Sequence, residues 1–135
     1  MPQIERDCPS CSGTASYSFN DAVTDGCLRW SGVLCCDVCK NPLQDDCYGF
    51  LPMDLRGVEL ETNGTWGINL TPNGGGTSSI LKVLRSTLNL NMPAAKAYLG
   101  YLPGPLGMWT KAEAQWLAQK FEAAHIAAVP VRVEA

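Results

Sequence analysis

The chain has 135 residues, of which 46% are hydrophobic and 17% are charged, with a net charge of −3 and an isoelectric point near 5.0. This length allows one ordinary domain or two small ones, and the composition is typical of globular proteins. The acidic balance argues against nucleic-acid binding, which requires a concentrated basic surface, and no apolar run approaches the roughly 20 residues needed to cross a bilayer.

The N-terminal residues and the cysteines predict the compartment. Residues 1–7 lack the basic and apolar regions of a secretory signal, so we expect a cytoplasmic protein. All seven cysteines lie in the first fifty residues. In a reducing cytoplasm cysteines are more commonly metal ligands than disulfides. Buried free thiols, or disulfides after export, are the alternatives.

Four of the cysteines form two Cys-x-x-Cys pairs, Cys8 with Cys11 and Cys36 with Cys39, separated by the 24 residues 12–35. Zinc prefers four soft ligands in a tetrahedron, and one tight Cys-x-x-Cys turn supplies two thiolates at about 2.3 Å from the metal. Two such turns close the site and leave no open position for water. We therefore predict one structural Zn²⁺ per chain, held by Cys8, Cys11, Cys36 and Cys39.

The residues between the two pairs predict two strands, 14–19 and 28–34, with Asp25 and Gly26 in the intervening loop. A Cys-x-x-Cys turn, two strands and a second such turn are the layout of a zinc ribbon, which residues 1–50 resemble. This layout strengthens the zinc prediction, because a thioredoxin-like redox pair would require a βαβ pattern around a single Cys-x-x-Cys.

Three cysteines remain outside the predicted zinc site. Cys35 competes with Cys36 for the third ligand position, but only Cys36 keeps the Cys-x-x-Cys spacing with Cys39. We interpret Cys27 and Cys47 as ordinary half-buried thiols; a redox role is an alternative that no motif supports.

The middle of the chain predicts a turn-rich segment and one short helix. Residues 41–49 are rich in turn-forming residues and are interpreted as turns. Leu51, Leu55 and Val58 have the spacing of a thin apolar helix stripe, so residues 52–61 are predicted to be helical within a linker, 51–64. The acidic residues of this region favour a solvated face over an acidic docking surface; they are Asp45, Asp46, Asp54, Glu59 and Glu61.

The second half predicts strands and helices in alternation. A strand at 66–70 is followed by a glycine-rich loop, 72–79, which lacks the known phosphate-binding arrangements, so Ser78 or Ser79 is expected to cap the next helix. That helix runs from Ile80 to Leu88 with apolar spacing of three and four.

Asn89 and Asn91 predict a tight corner before a second helix, because Asn tolerates left-handed backbone and caps helices, and Pro93 suits a first helical turn. A short strand at 107–109 and a capping box, Thr110 to Glu113, introduce the last helix.

These segments resemble the C-terminal domain of the bacterial ribosomal stalk protein. The stretches 80–85, 89–92 and 95–96 follow its Ile-Lys-x-Val-Arg, Gly-Leu-Gly-Leu and Ala-Lys pattern without a gap, with Asn in place of both glycines. The resemblance covers residues 64–135 and implies a small β-α-α-β-α-β domain. In this domain the last strand would be 128–133, and the only histidine, His125, would lie at the C-terminal end of the last helix. It also implies that the helical hairpin docks a protein, such as a translational GTPase, through the matching residues Lys82, Val83, Arg85 and Lys96. The predicted fold class is therefore α+β, with a zinc ribbon at 1–50 and this domain at 65–135.

No motif places a base beside a nucleophile, and no carboxylate pair lies in an apolar context. We therefore predict a non-enzymatic, zinc-containing module that binds a translational GTPase, the ribosome or another protein. The alternative is an immunity-type protein that neutralises a toxin by binding it. Nucleic acid is disfavoured as a partner, since only Arg29 and Lys40 are basic between Cys8 and Gly49.

Overall fold

The computed structural model describes residues 2–11, 13–40, 42–71, 76–102 and 104–133. The chain divides into two compact units, Met1–Asn63 and Gly64–Ala135. The first contains strands β1 (Gln3–Asp7), β2 (Thr14–Thr24), β3 (Cys27–Cys36) and β4 (Leu43–Tyr48) and helix α1 (Met53–Asn63). The second contains β5 (Thr65–Thr71), α2 (Gly76–Leu88), α3 (Met92–Tyr98), a short 3-10 helix (Leu99–Tyr101), β6 (Leu106–Trp109), α4 (Lys111–Ala123) and β7 (Ala127–Val133). The predicted α+β class is confirmed.

The first unit is built on an antiparallel sheet with the strand order β1-β2-β3-β4. Strands β2 and β3 form a hairpin whose turn residues, Asp25 and Gly26, both have positive φ, at 52° and 77°. Such a turn matches the right-handed twist of the paired strands. Along β2, Tyr17 and Phe19 point to the buried face, where they pack with Leu51, just before α1, and Leu55 of α1. The sheet is therefore covered by a helix on one face.

Strands β1 and β4 were absent from the sequence prediction, and the interpretation of residues 41–49 as turns is wrong for β4. All six residues of β4 are exposed, so this strand carries no apolar alternation. Its position is set by backbone pairing with β3, in which Leu34 lies opposite Leu43 and Trp30 opposite Cys47. Asn41 lies outside the described residues. An exposed edge strand leaves little trace in a hydrophobic pattern, because neither of its faces must be apolar.

Tyr17 connects several elements of the first unit. Its ring, 2% exposed, crosses β3 directly above Gly32, where a β-carbon would collide with the hydroxyl and the ring. The hydroxyl donates to a carboxylate oxygen of Asp45 on β4 at 3.3 Å. The guanidinium of Arg6 on β1 lies 4.5 Å from the ring centroid and pairs with Asp54 of α1 at 3.3 Å. One side chain thus contacts residues from both edge strands.

The environment of Tyr17 predicts an alkaline loss of stability. Burial, and then the negative charge of Asp45, raise the pKa of the Tyr17 hydroxyl above its ordinary value of 10.0. Above pH 10 the unfolded chain loses this proton more readily than the folded chain, so the free energy of unfolding falls as the pH rises. Well below pH 10 the hydroxyl is protonated in both states, and its titration does not change the free energy of unfolding. Between about pH 8 and about pH 11, the free energy of unfolding in urea should fall less for Tyr17→Phe than for the wild type. Tyr48→Phe changes a side chain that is 75% exposed, and its free energy of unfolding should fall as much as that of the wild type.

The second unit contains an antiparallel sheet with the order β6-β5-β7 and its own core. The core combines β5, α2 and α4, with Ile68, Leu84, Leu117 and Phe121 all at 0% exposure. None of the described helices is long and apolar enough to cross a membrane.

Helices α2 and α3 form a hairpin around the predicted corner. Asn89 adopts left-handed backbone with φ of 55°. The side chain of Asn91 accepts a hydrogen bond from the Ala94 amide at 2.9 Å, so it caps α3 and leaves Pro93 in the first turn. The prediction for the start of α2 is wrong, because the helix begins at Gly76 and the two serines expected to cap it, Ser78 and Ser79, lie within its first turn. Pro72–Gly75 lie outside the described residues.

The predicted capping box of α4 is confirmed. The Glu113 amide donates to the Thr110 hydroxyl at 3.2 Å, and the Thr110 amide donates to the Glu113 carboxylate at 3.1 Å. Both residues are 0% exposed. At the other end of α4, His125 has left-handed backbone with φ of 65° and is exposed.

Candidate metal centre and hairpin groove

Four cysteine sulfurs of the first unit lie within 4.8 Å of one another. Cys8 follows β1 and Cys11 lies in the turn before β2, whereas Cys36 ends β3 and Cys39 lies in the turn after it. Because Ala15 pairs with Cys36 across β2 and β3, the two turns meet at one end of the sheet. The Cys8 and Cys39 sulfurs are 3.8 Å apart and those of Cys11 and Cys36 are 3.5 Å apart.

Backbone hydrogen bonds hold both Cys-x-x-Cys turns. The Cys8 amide donates to the Gly13 carbonyl at 2.7 Å, and the Lys40 amide donates to the Cys36 carbonyl at 2.8 Å. Lys40 adopts left-handed backbone, with φ of 57°. Main-chain hydrogen bonds therefore close both turns without any contribution from a metal.

The thiol pKa values depend on these turns and on the crowding of the sulfurs. Backbone amides of Ser10 and Cys11 donate to the Cys8 sulfur and lower its pKa from 9.0 to about 7. Hydrogen bonds with the Cys11 and Cys8 sulfurs raise the pKa of Cys39 to about 12. The amide of Gly13 acts to lower the pKa of Cys11, but the adjacent sulfurs of Cys36 and Cys8 and burial leave it raised. Four neighbouring thiols cannot all ionise without a cation, and a bound metal deprotonates such ligands.

The cluster has the dimensions of a tetrahedral metal site. With metal–sulfur bonds of about 2.3 Å, the sulfurs of a tetrahedron are about 3.8 Å apart, close to the 3.5 Å and 3.8 Å measured here. Cys8 and Cys36 are buried, at 6% and 4% exposure, Cys39 is half-buried and Cys11 is exposed. This group of four cysteines can therefore hold a metal ion.

The structure separates the other cysteines from this group. Successive residues of a strand point to opposite faces, so Cys35 is exposed on the far side of β3 while Cys36 joins the cluster. The prediction that Cys27 and Cys47 are half-buried is wrong, because both are exposed. Cys27 flanks the hairpin turn, and Cys47 lies on the exposed edge strand β4.

The second unit contains a groove of about 540 Å³ along the corner of α2 and α3, which we call the hairpin groove. Its apolar part includes Leu81 and Leu90, both half-buried, and Met92, which is 37% exposed. Lys82 and Arg85 are exposed and supply its positive charge. Among the described residues, the lining consists of Ser78, Leu81, Lys82, Arg85, Ser86, Asn89, Leu90 and Met92.

The four predicted partner-binding residues have different positions. Lys82 and Arg85 lie together in the hairpin groove. Val83 is only 7% exposed and belongs to the core of the second unit. It also lines a second depression, of about 450 Å³, beside α4. Lys96 is exposed on α3 and is absent from the described lining of the hairpin groove. The hairpin groove thus brings Lys82 and Arg85 together, and the second depression brings Lys82 and Val83 together.

The sequence did not predict the three apolar residues that line the groove, which are Leu81, Leu90 and Met92. The apolar spacing of residues 80–88 does not distinguish a fully buried leucine from one at the edge of a groove, so it could not identify Leu81. The predicted corner at Asn89 and Asn91 marks where the groove lies, but its concave shape depends on the angle between the two helices, which no local pattern specifies.

No family model, no curated protein and no solved structure matches this chain. The interpretation therefore depends on the geometry of the cysteine cluster and of the hairpin groove. The four cysteines can hold a metal ion, and the groove combines an apolar floor with two basic side chains.

Proposed function

We propose that this chain is a non-enzymatic, zinc-containing module that docks a protein partner through the hairpin of α2 and α3. The observation that carries the proposal is the hairpin groove, in which half-buried leucines lie beside Lys82 and Arg85 without a carboxylate in the described lining. A surface that combines an apolar centre with a charged rim is typical of a protein-binding site.

The metal of the cysteine cluster is proposed to be zinc. Four sulfurs in a tetrahedral arrangement suit zinc or iron, and a site closed by four thiolates has no position for water or substrate. Bound zinc would supply a cross-link between the two Cys-x-x-Cys turns and would neutralise their thiolates. With this layout, the first unit is a zinc-ribbon-like module in which the paired strands carry the metal turns at one end.

The absence of catalysis is part of the proposal. Nucleophilic or acid–base catalysis requires a base within hydrogen-bond reach of the reacting group. The single histidine, His125, is exposed at the end of α4, and the described lining of the hairpin groove contains neither histidine nor carboxylate. Four of the seven cysteines would be committed to the metal.

Charge and the resemblance together suggest the class of partner. The second unit contains six Lys and Arg residues and three Glu residues, so its net charge is positive. A complementary partner therefore presents an acidic surface with apolar anchors. The resemblance of residues 64–135 to the stalk-protein domain adds the expectation that this partner is a translational GTPase, bound on or off the ribosome.

Reversal of the two groove charges tests this proposal. We expect Lys82→Glu with Arg85→Glu to weaken binding to a purified bacterial translational GTPase by about tenfold or more, because two attractive contacts become repulsive. Titration calorimetry measures the change. A matched control is Lys111→Glu with Arg132→Glu, which alters the net charge equally at exposed positions outside the groove lining. An equal loss in both variants, or no binding by the wild type, would refute docking of this partner through the groove.

A second candidate function, the neutralisation of a toxin, is favoured by the charge of the first unit. That unit contains ten Asp and Glu residues against four Lys and Arg residues, a net charge of −6. An acidic protein of this kind is complementary to a basic active-site surface. Formation of a tight complex with a toxin encoded beside this chain, together with loss of the toxin's activity, would favour this candidate over the first.

A further inference from the structure

Strand β4 is an open edge of the first sheet. It is the last strand in the order β1-β2-β3-β4, and all six of its side chains are exposed. The Gly49 amide donates to the Leu28 carbonyl at 2.8 Å, which fixes the register at the end of the strand. Since backbone groups alternate along an antiparallel strand, those of Gln44, Asp46 and Tyr48 are directed away from β3. The edge therefore offers a row of amides and carbonyls for another strand.

The side chains of β4 determine which strand fits this edge. Asp45 and Asp46 are successive residues, so their carboxylates point to opposite faces of the sheet. If two copies of the chain paired antiparallel through β4, these carboxylates would face each other, and like charges opposite one another are destabilising. The net charge of −6 on this unit increases that repulsion. Pairing with a second copy is therefore disfavoured, whereas a strand with Lys or Arg at two successive positions is attracted on both faces.

The ends of β4 provide apolar contacts. Leu43 is 49% exposed and Tyr48 is 75% exposed. The Tyr48 ring is held by the Arg29 guanidinium, which lies 5.1 Å from the ring centroid. An ordered exposed aromatic ring is a common anchor in protein interfaces, because little side-chain entropy is lost when it is covered.

We propose that β4 binds an extended, basic segment of a partner protein, which adds to the first sheet as a fifth strand. The outward backbone groups of Gln44, Asp46 and Tyr48 form the hydrogen bonds of the new pairing, and Asp45 and Asp46 select adjacent basic side chains. In strand addition of this type the main chain supplies affinity and the alternating side chains supply specificity. The surface belongs to the first unit and is independent of the hairpin groove.

A defined peptide tests the proposal. The probe is acetyl-Thr-Val-Thr-Lys-Lys-Val-Thr-Val-amide, and its control is the same peptide N-methylated at alternate residues, which keeps the charge but cannot form a ladder of hydrogen bonds. By NMR titration of the full chain, we expect the control to bind about tenfold more weakly or worse, because several hydrogen bonds of about 1 kcal/mol are lost. Only the unmethylated peptide should slow hydrogen exchange at the Asp46 and Tyr48 amides.

Two protein variants separate the edge strand from general charge attraction. Asp46→Asn should weaken binding of the unmethylated peptide about threefold, as expected for one exposed ion pair. It leaves in place the hydrogen bond between Tyr17 and Asp45. Asp25→Asn removes the same charge at the tip of the β2–β3 hairpin, where Asn tolerates the left-handed backbone, and should leave binding unchanged. Equal binding of the two peptides, equal losses in the two variants, or unchanged exchange at Asp46 and Tyr48 would each overturn the proposal.

Discussion

Removal of the proposed zinc ion is expected to unfold the first unit while the second unit remains folded. The main core of the first unit is small, with Tyr17, Phe19, Leu51 and Leu55 as its fully buried members. A domain of this size gains little stability from burial alone. Zinc binding to small structural sites contributes about 10–16 kcal/mol of apparent free energy at neutral pH, which equals or exceeds the stability of a typical domain. The second unit has a separate core and contains none of the seven cysteines.

Metal analysis and hydrogen exchange measure this effect. The purified chain should contain about one zinc per molecule. After chelation, amides of β2 and β3 should lose protection, whereas those of α2 and α4 should retain it. Cys8→Ser and Cys39→Ser should reproduce the loss without a chelator, and Cys27→Ser, at an exposed thiol outside the cluster, is the matched control. Uniform loss of protection, or a metal-free chain with a protected first sheet, would contradict the prediction.

Features that depend on local chemistry were predictable from the sequence. The spacing of Cys8, Cys11, Cys36 and Cys39 identified the cluster, because ligand geometry requires tight turns at both pairs. The corner at Asn89 and the capping box at Thr110 followed from the backbone preferences of single residues. In each case a few neighbouring residues carry the whole signal.

Features that depend on long-range pairing or burial were not predictable. Strand β4 exists because Leu43 to Tyr48 pair with β3, and its exposed side chains give no periodic pattern. Val83 was assigned to the docking surface by the resemblance, although it belongs to the apolar spacing of residues 80–88, and its side chain lies in the core. The hairpin groove depends on the angle between two helices, which no local pattern specifies.

Gly32→Ala is expected to destabilise the first unit by about 1–3 kcal/mol, the usual cost of overpacking a core. The added methyl group would collide with the hydroxyl and the ring of Tyr17, which crosses β3 above this glycine. The ring has little room to move, because it is 2% exposed, lies 4.5 Å from the Arg6 guanidinium and stacks with Phe19 at 6.2 Å. Displacement of the ring would also break the hydrogen bond from Tyr17 to Asp45.

Two controls make this prediction specific: the same substitution at another glycine, Gly57, and Gly32→Ala in a chain that also carries Tyr17→Leu. Gly57 lies within α1, and a β-carbon at this position would point into open space, so Gly57→Ala should stabilise the unit by about 0.5–1 kcal/mol through helix propensity. In a Tyr17→Leu background, where the shorter side chain does not reach across β3, Gly32→Ala should cost much less than in the wild type. Urea unfolding of the four chains of this cycle measures the coupling between the two positions. Additive effects would mean that the Tyr17 ring is not what excludes a side chain at position 32, and the strand would then require glycine for a reason other than this contact.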